Sequence, residues 1–90
     1  MDYDTLSSEI DALLPAAKES YLKATSIPEL RRANAAIVGK DGAGTPILRQ
    51  LGMVNADQRV DLGLKFNRVM AEVRTLYDTA YDTLLQALEE

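Results

Sequence analysis

The sequence predicts an all-α protein, and its C-terminal third carries most of that prediction. Between residues 56 and 90 the chain has no proline and a single glycine, Gly63. Asn55, followed three residues later by Gln58, resembles a capping box, so a long helix is predicted over residues 56–89. Its apolar residues step by three and four positions, as in a coiled-coil seam: Leu62, Phe66, Val69, Val73, Leu76, Ala80, Leu84 and Ala87. We therefore predict an elongated antiparallel helical hairpin with one long C-terminal helix and short helices packed at one end.

The first helix is predicted over residues 4–24. Apolar residues recur there at helical spacing: Leu6, Ile10, Leu13, Leu14, Ala17, Tyr21 and Leu22. Pro15 lies in the middle of this stretch. Because proline lacks an amide hydrogen and crowds the preceding turn, we expect a kink near it. This helix is the natural antiparallel partner for the C-terminal half of the long helix.

The second helix is predicted over residues 27–38. Ser26 is a suitable N-cap, and Glu29 stands at the position that completes a capping box. The side chains expected to face inward are those of Leu30, Ala33, Ile37 and Ala36.

A glycine-rich loop is predicted over residues 39–44. Gly39 is expected to end the second helix in the left-handed conformation that glycine allows, and Gly42 is assigned a similar structural role. Three glycines in six residues are costly to order, so the loop is either mobile or held by contacts. It lacks the Gly-Lys-Ser/Thr ending and the preceding strand of a P-loop.

A short helix is predicted over residues 46–51. Thr45 is read as its N-cap and Pro46 as its first helical residue, where the missing amide hydrogen has no cost. Gly52 is expected to end this helix.

The composition limits the class of protein. Ninety residues make one domain at most, so residues 1–90 are predicted to form a single helical arm domain. Histidine and cysteine are both absent from the sequence, so we predict no enzyme activity, no metal and no other cofactor. No apolar run approaches membrane-spanning length, and the start Met-Asp-Tyr-Asp lacks a signal pattern. We therefore expect a cytoplasmic protein with no membrane contact.

The charge is unevenly distributed along the chain, although its net value is -4. Residues 31–74 hold eight Lys or Arg and four Asp or Glu, a balance of +4, whereas the two ends hold two and ten, a balance of -8. Ordinary solvated helix faces explain this pattern on charge alone. A mildly basic patch that contacts phosphates is the other interpretation.

One block of the sequence, residues 38–67, resembles a known family. The matching residues form a Gly-Lys loop, a Leu-Gly turn, an arginine and a Gly-x-x-x-Asn pair: Gly39, Lys40, Gly42, Thr45, Leu48, Arg49, Leu51, Gly52, Arg59, Gly63 and Asn67. This pattern resembles the N-terminal arm of the bacterial phenylalanyl-tRNA synthetase alpha subunit. The resemblance implies a non-catalytic arm that docks on the backbone of phenylalanine-specific tRNA by charge and shape.

The resemblance suggests nucleic-acid-binding residues in the middle of the chain: Lys40, Arg49, Arg31 and Arg32. For Lys40 a phosphate contact and simple solvation are both open, and for Arg49 a phosphate contact and packing of its stem. The family's second loop lysine is Asp41 here, and two basic positions of its second helix are Asn34 and Ala36. Each such loss weakens the electrostatic attraction to RNA.

Other residues of the block are assigned structural roles. Arg59 is expected to bond loop carbonyls, Gly63 to allow close approach of the short helix, and Asn67 to hydrogen-bond the loop or the end of the second helix. Two ion pairs are expected at four-residue spacing, Lys65 with Asp61 and Arg68 with Glu72.

Two functions from different classes follow. The first is the tRNA-binding arm, whose other partner would be the remainder of the synthetase, with a catalytic domain beyond residue 90. The second is a helical protein-interaction or self-association module that has lost RNA binding, with a homodimer through the long helix as one form.

Overall fold

The computed structural model describes residues 3–89 and contains four helices. They are α1 (Tyr3–Lys23), α2 (Ile27–Val38), α3 (Gly44–Leu51) and α4 (Ala56–Glu89). The molecule measures 52 × 20 × 16 Å. The 34 residues of α4 at about 1.5 Å each account for the longest dimension. The all-helical class, the elongated shape and the long C-terminal helix are therefore confirmed.

Helices α1 and α4 form the largest contact in the structure, and they run in the same direction. Their cross-contacts advance together along both helices: Tyr3 with Asp61, Lys65 with Ser7 and Asp11, and Tyr21 with Tyr77. The predicted antiparallel pairing of these two helices is wrong. An apolar stripe fits a neighbour in either direction, and the direction here is imposed by the return of the chain through α2 and α3.

The two short helices follow each other along α4, from its C-terminal part toward its start. The beginning of α2 lies beside Leu84 and Leu88, and its end lies beside Met70 and Arg74. Gly44, at the start of α3, lies against the ring of Phe66. The short helices therefore do not share one end of the molecule, as the sequence had suggested. Together they make a third rod, which we call the α2–α3 rod, antiparallel to α4.

The core lies between α1, the α2–α3 rod and the first half of α4. Its buried side chains are Leu6, Ile10, Leu13, Ala17, Tyr21, Leu30, Ile37, Ile47, Leu51, Leu62, Phe66, Val69 and Val73. From Leu76 onward the apolar residues of α4 are only half-buried or exposed. Leu22 was predicted to face inward but is 76% exposed, because the α1 stripe ends with Tyr21. Ala36 is exposed as well.

Two of the predicted caps are present. The Glu29 amide donates to Ser26 Oγ at 3.2 Å, and the Gln58 amide donates to Asn55 Oδ1 at 2.9 Å. The Glu29 carboxylate reaches back to Thr25, whose amide and hydroxyl both donate to Oε2 at 2.8 Å. These bonds hold the pKa of the Glu29 carboxyl below its usual value. Pro15 lies inside α1, where the predicted kink stays a prediction.

The start of α3 differs from the prediction. The helix begins at Gly44, and Thr45 is not its N-cap, since no side chain caps α3. The Thr45 hydroxyl instead donates to the Gly39 carbonyl at 3.2 Å. This bond closes the loop between α2 and α3.

The glycines of this loop are needed for space rather than for a left-handed backbone. Gly39 has φ -71 and ψ 173, and no glycine between residues 3 and 89 has a positive φ. The left-handed conformation expected of Gly39 and Gly42 is therefore wrong. A Cβ on Gly39 would stand 2.4 Å from the Ala35 carbonyl oxygen, and one on Gly42 would stand 2.8 Å from the same oxygen. The loop lies directly on the last turn of α2.

Backbone hydrogen bonds hold this loop in place. The amides of Gly39 and Ala43 donate to the carbonyls of Ala35 and Ala36 at 2.9 and 2.8 Å, and the Gly42 amide donates to the Gly39 carbonyl at 2.9 Å. Carbonyls at a helix C-terminus lack partners within the helix, so these bonds satisfy groups that would otherwise need water. Of the two possibilities left open by the sequence, the loop is held by contacts.

A buried tyrosine joins the three rods near the middle of α4. The Tyr21 hydroxyl donates to Asn34 Oδ1 on α2 at 2.7 Å, and its ring packs edge-on against Tyr77 at 5.9 Å. Burial, and then the neighbouring Tyr77, raise the pKa of the Tyr21 phenol to about 12. The folded state therefore binds this proton more tightly than the unfolded chain does.

We predict that Gly39→Ala and Gly42→Ala each destabilise the fold by about 1 to 3 kcal/mol, because a Cβ overlaps backbone atoms that cannot move freely. Gly63→Ala is the matched control. It lies inside α4 with open space around it, so alanine should stabilise the protein by about 0.5 to 1 kcal/mol. Urea unfolding followed by circular dichroism measures all three. Equal stability of all three variants would contradict the close contacts of the loop.

We also predict a loss of stability at alkaline pH that depends on Tyr21. The Tyr21 pKa is about 10 in the unfolded chain and about 12 in the fold. The contribution of this proton to the free energy of unfolding is therefore fully present below pH 10 and declines as the pH rises toward 12. Thermal melts from pH 9 to 11.5 should fall less steeply for Tyr21→Phe than for wild type. Tyr81→Phe, at the half-buried rim, should keep the wild-type slope. Parallel slopes for wild type and Tyr21→Phe would show that this proton is not linked to folding.

Candidate nucleic-acid interface

The four residues predicted to bind nucleic acid all lie on the α2–α3 rod. Arg31 and Arg32 are on α2, Lys40 is in the loop, and Arg49 is in the last turn of α3. All four are exposed. Residues 27–51 hold these four bases and two acids, a balance of +2, whereas residues 3–23 hold two bases and four acids, a balance of -2. Helix α1 and the α2–α3 rod pack on different sides of α4. The negative balance of α1 and the positive balance of the rod therefore lie on different sides of the molecule's long axis.

Three of these four side chains have no partner within residues 3–89. Arg31, Lys40 and Arg49 make no hydrogen bond or ion pair there, and Arg32 has only a weak attraction to Glu29. A cation without a protein partner can bind a phosphate without first breaking an ion pair. The rod therefore presents charge that the fold does not use.

Other bases of the chain are occupied by the protein itself. Lys23 pairs with Glu19 at 2.8 Å within α1. Lys65 donates to Asp11 Oδ2 at 2.8 Å and to Ser7 Oγ at 2.6 Å. The predicted pair of Lys65 with Asp61 is wrong, because α1 brings Asp11 within reach. The predicted pair of Arg68 with Glu72 is likewise not formed in the part of the chain that the structure describes.

Lys40 is carried by a loop with a fixed backbone. The amides of Gly39 and Ala43, which flank residues 40–42, donate to carbonyls of α2, while the side chains of Lys40 and its neighbour Asp41 are exposed. The last turn of α2 has no basic residue, and Lys40 is the first cation in the sequence after the negative end of that helix. Its position is thus set by the glycine contacts, and Asp41 is the acid closest to it in sequence.

Arg49 points away from the core side of α3. Ile47 and Leu51 are buried against the other helices, and Gln50 lines a groove toward α1. Arg49 lies between these positions in sequence but is exposed and has no partner among residues 3–89. The short helix therefore presents one free guanidinium to solvent.

Arg59 has a different environment. Its Nε donates to the Leu51 carbonyl at 3.2 Å, and its Nη2 donates to the carbonyls of Gly52 and Val54 at 3.2 and 3.1 Å. The guanidinium thus ties the turn between α3 and α4 to the start of α4. Its donors are directed at the protein's own backbone rather than at a ligand.

Gly63 and Asn67 do not make the contacts predicted for them. No heavy atom of the described residues beyond the local helix lies within 4 Å of the point where a Gly63 Cβ would stand. The close approach of α3 to α4 occurs instead at Gly44, against Phe66. Asn67 is exposed, and its side chain makes no hydrogen bond between residues 3 and 89.

Sequence reasoning missed Arg74. This residue is exposed, has no ion pair within the described chain, and lines a groove of about 420 Å³ between α2 and α4. The other residues of the groove are Asn34, Val38, Met70, Tyr77 and Asp78. Its position follows from the antiparallel contact of α2 with α4. The only signal in the sequence was its spacing from Gly63 and Asn67, at eleven and seven residues.

The described residues contain no group of three or more acidic, histidine or cysteine side chains that could hold a metal ion. No helix between residues 3 and 89 is both long enough and apolar enough to span a membrane.

Comparison with known proteins gives a consistent result. The family model described as "Aminoacyl tRNA synthetase class II, N-terminal domain" matches residues 25–90. The phenylalanine–tRNA ligase alpha subunit of Bordetella parapertussis is 30% identical over 78 residues, which cover 87% of this chain and 22% of that protein. The corresponding subunit of Dictyoglomus thermophilum is 34% identical over 89 residues, covering 93% and 26%. That of Coxiella burnetii is 34% identical over 71 residues, covering 79% and 22%.

The chain spans about a quarter or less of the length of these relatives. No significant match to a solved structure was found. The family model covers most of the chain, including the loop, α3 and all of α4 that the structure describes. The resemblance seen in the sequence is therefore confirmed, and the chain belongs to the family of N-terminal domains of class II aminoacyl-tRNA synthetases.

Proposed function

We propose that this chain is the tRNA-binding helical arm of a phenylalanyl-tRNA synthetase alpha subunit, acting in the cytoplasm and carrying no chemistry of its own. The observation that supports this most is the set of exposed cations on the α2–α3 rod, three of them without any partner in residues 3–89. Family membership gives the class of ligand, since the relatives are tRNA ligases by name. The remainder of such a synthetase would be its second partner.

The mechanism would be recognition of backbone and shape. The major groove of an A-form helix is too deep and narrow for side chains to read, so cations on a helical rod are suited to the phosphates. Each phosphate contact releases counterions and makes affinity depend on salt. Such contacts position an RNA without reading its bases. Binding by the arm alone should therefore be weak and hardly sequence-specific, and phenylalanine specificity would come from the rest of the synthetase.

The acidic parts of the chain would restrict how the RNA docks. Helix α1 has a balance of -2, and residues 75–89 hold three acids and no base. Both regions would repel a phosphate backbone over about one Debye length, roughly 10 Å at 0.1 M salt. The RNA would thus face the α2–α3 rod and avoid the α1 side.

A second candidate function is a protein-interaction or self-association module. The observation in its favour is the exposed apolar surface near the C-terminal end of α4. Leu22 and Leu88 are 76% and 74% exposed, and Leu85 is 40% exposed. A homodimer through α4 would cover these side chains. In this case the free cations of the rod would be solvated and without a ligand.

We predict that Lys40→Glu and Arg49→Glu each weaken tRNA binding while helicity is retained. Each reversal replaces an attraction to phosphate with a repulsion, and the effect should be greatest at low salt, where screening is least. Lys18→Glu is the matched control, since Lys18 is exposed on α1 and lies outside the α2–α3 rod. Binding would be measured by fluorescence anisotropy with labelled tRNA at low and near-physiological salt, with circular dichroism of each variant.

Binding that weakens only in the two rod variants would support the proposal. No binding by wild type at low salt would contradict it and favour the interaction module, for which sedimentation should then show a dimer. Equal weakening by Lys18→Glu would mean that overall charge, and not the rod, governs the association.

A further inference from the structure

Four residues of α4 lie on one line along the helix, on the side that faces the α2–α3 rod. Gly63, Asn67, Met70 and Arg74 are separated by four, three and four positions, which places them above one another on one helix face. Met70 and Arg74 line the groove between α2 and α4. Gly63 and Asn67 continue this line toward the start of α4.

Gly63 has no role within the described chain. Its φ is not positive, and no neighbouring side chain or backbone occupies the space that a Cβ would fill. A glycine in a helix interior is destabilising relative to alanine, and no contact within the described residues offsets this effect at Gly63. What it does provide is an unobstructed approach to the α4 backbone from outside.

Asn67 and Arg74 are polar side chains without partners on the same line. Both are exposed and make no hydrogen bond or ion pair between residues 3 and 89. Arg74 remains unpaired even though Asp78, one turn further along α4, lines the same groove. An asparagine amide and a guanidinium are both donors to phosphate oxygens.

The α2 side of the groove also carries cations. We call the α2 side and the α4 side the two banks of the groove. Arg31 is three residues before Asn34, which lines the groove, and so lies on the same side of α2. Lys40 is the second residue after the end of α2. Arg74 on one bank thus faces a rod with free cations on the other, an arrangement that favours a polyanion between them.

The other side of α4 is different. Arg68 lines a depression with Tyr3, Asp61 and Lys65, where Asp61 accepts from Tyr3 and Lys65 is bound to Asp11. Asp11 of α1 neutralises Lys65 there, whereas Arg68 has no ion pair among the described residues. The acidic residues Asp78 and Asp82 follow Arg74 on α4 and would mark the end of the favourable stretch.

We propose that the RNA backbone lies in the groove between α4 and the α2–α3 rod, from Gly63 to Arg74. Arg74 contacts a phosphate, Asn67 donates a hydrogen bond to the backbone, and Gly63 gives the strand room to approach α4. This inference rests on the proposed tRNA binding and adds the second bank of the binding surface. The rod alone would offer a convex surface, whereas the two banks together hold one strand from two sides.

The first test compares two arginines of the same helix. Arg74→Gln should weaken tRNA binding and reduce the slope of log affinity against log salt by about 1, the change for one lost phosphate contact. Arg68→Gln removes the same charge on the α1 side and should leave both the affinity and the slope unchanged. Labelled tRNA and a salt titration measure both variants.

The second test fills the space above Gly63. Gly63→Leu should lower affinity by about tenfold at low salt, the factor that corresponds to one lost hydrogen bond to a charged group. Its melting temperature should not fall, because the site is open. Thr75→Leu adds bulk at an exposed position that follows Arg74 and is rotated by about a third of a turn around the helix from the line of Gly63, Asn67, Met70 and Arg74. This variant should bind like wild type.

The outcomes separate this inference from the proposed function. If Lys40→Glu weakens binding while Arg74→Gln and Gly63→Leu match their controls, the arm binds tRNA but not in this groove, and the inference is overturned. If Arg68→Gln reduces the slope as much as Arg74→Gln, charge anywhere on α4 suffices, and the groove is again excluded. If wild type does not bind tRNA at low salt, both proposals fail.

Discussion

The fold depends on the apolar contact between α1 and the first half of α4. The fully buried side chains of Leu6 and Ile10 on α1 meet an α4 seam that is buried from Leu62 to Val73, and the α2–α3 rod packs on this pair. In a chain of 90 residues no second core is available to replace this one. Helix α1 has 21 residues and α4 has 34, so the last part of α4 has no equivalent cover. The exposed apolar residues near the C-terminal end are a direct consequence of this difference in length.

The third rod packs on that pair through Leu30, Ile37, Ile47 and Leu51, and polar contacts of the backbone fix its two turns. Gly39 and Gly42 let the loop lie on the last turn of α2, and Arg59 binds three carbonyls at the turn into α4. Carbonyls at the ends of helices need partners, and here a charged group supplies them at one turn and backbone amides at the other. These two fixed turns determine where α3 lies and hence where Lys40 and Arg49 are presented.

The same packing explains how an acidic protein can offer a basic surface. The parallel contact brings Asp11 of α1 to Lys65 of α4, and this ion pair neutralises one of the bases on that side of α4. On the α2–α3 rod, by contrast, Arg31, Lys40 and Arg49 are exposed and have no ion pair among the described residues. The molecule is 16 to 20 Å thick, about twice the Debye length at 0.1 M salt. A charged ligand on one side of the molecule is therefore attracted or repelled mainly by the charges on that side. Net charge is therefore a poor guide to what this protein binds.

The sequence by itself determined the helices, their caps at Ser26 and Asn55, and the family, because these depend on local spacing and on residues close together in the chain. Only the tertiary structure decided the parallel direction of α1 and α4, since an apolar stripe has no polarity along its axis. It also decided that Gly39 is needed for space, and that no other described residue fills the space where a Gly63 Cβ would stand. Sequence identifies a glycine but not the atoms that surround it. Those atoms come from elements that meet only when the chain has folded.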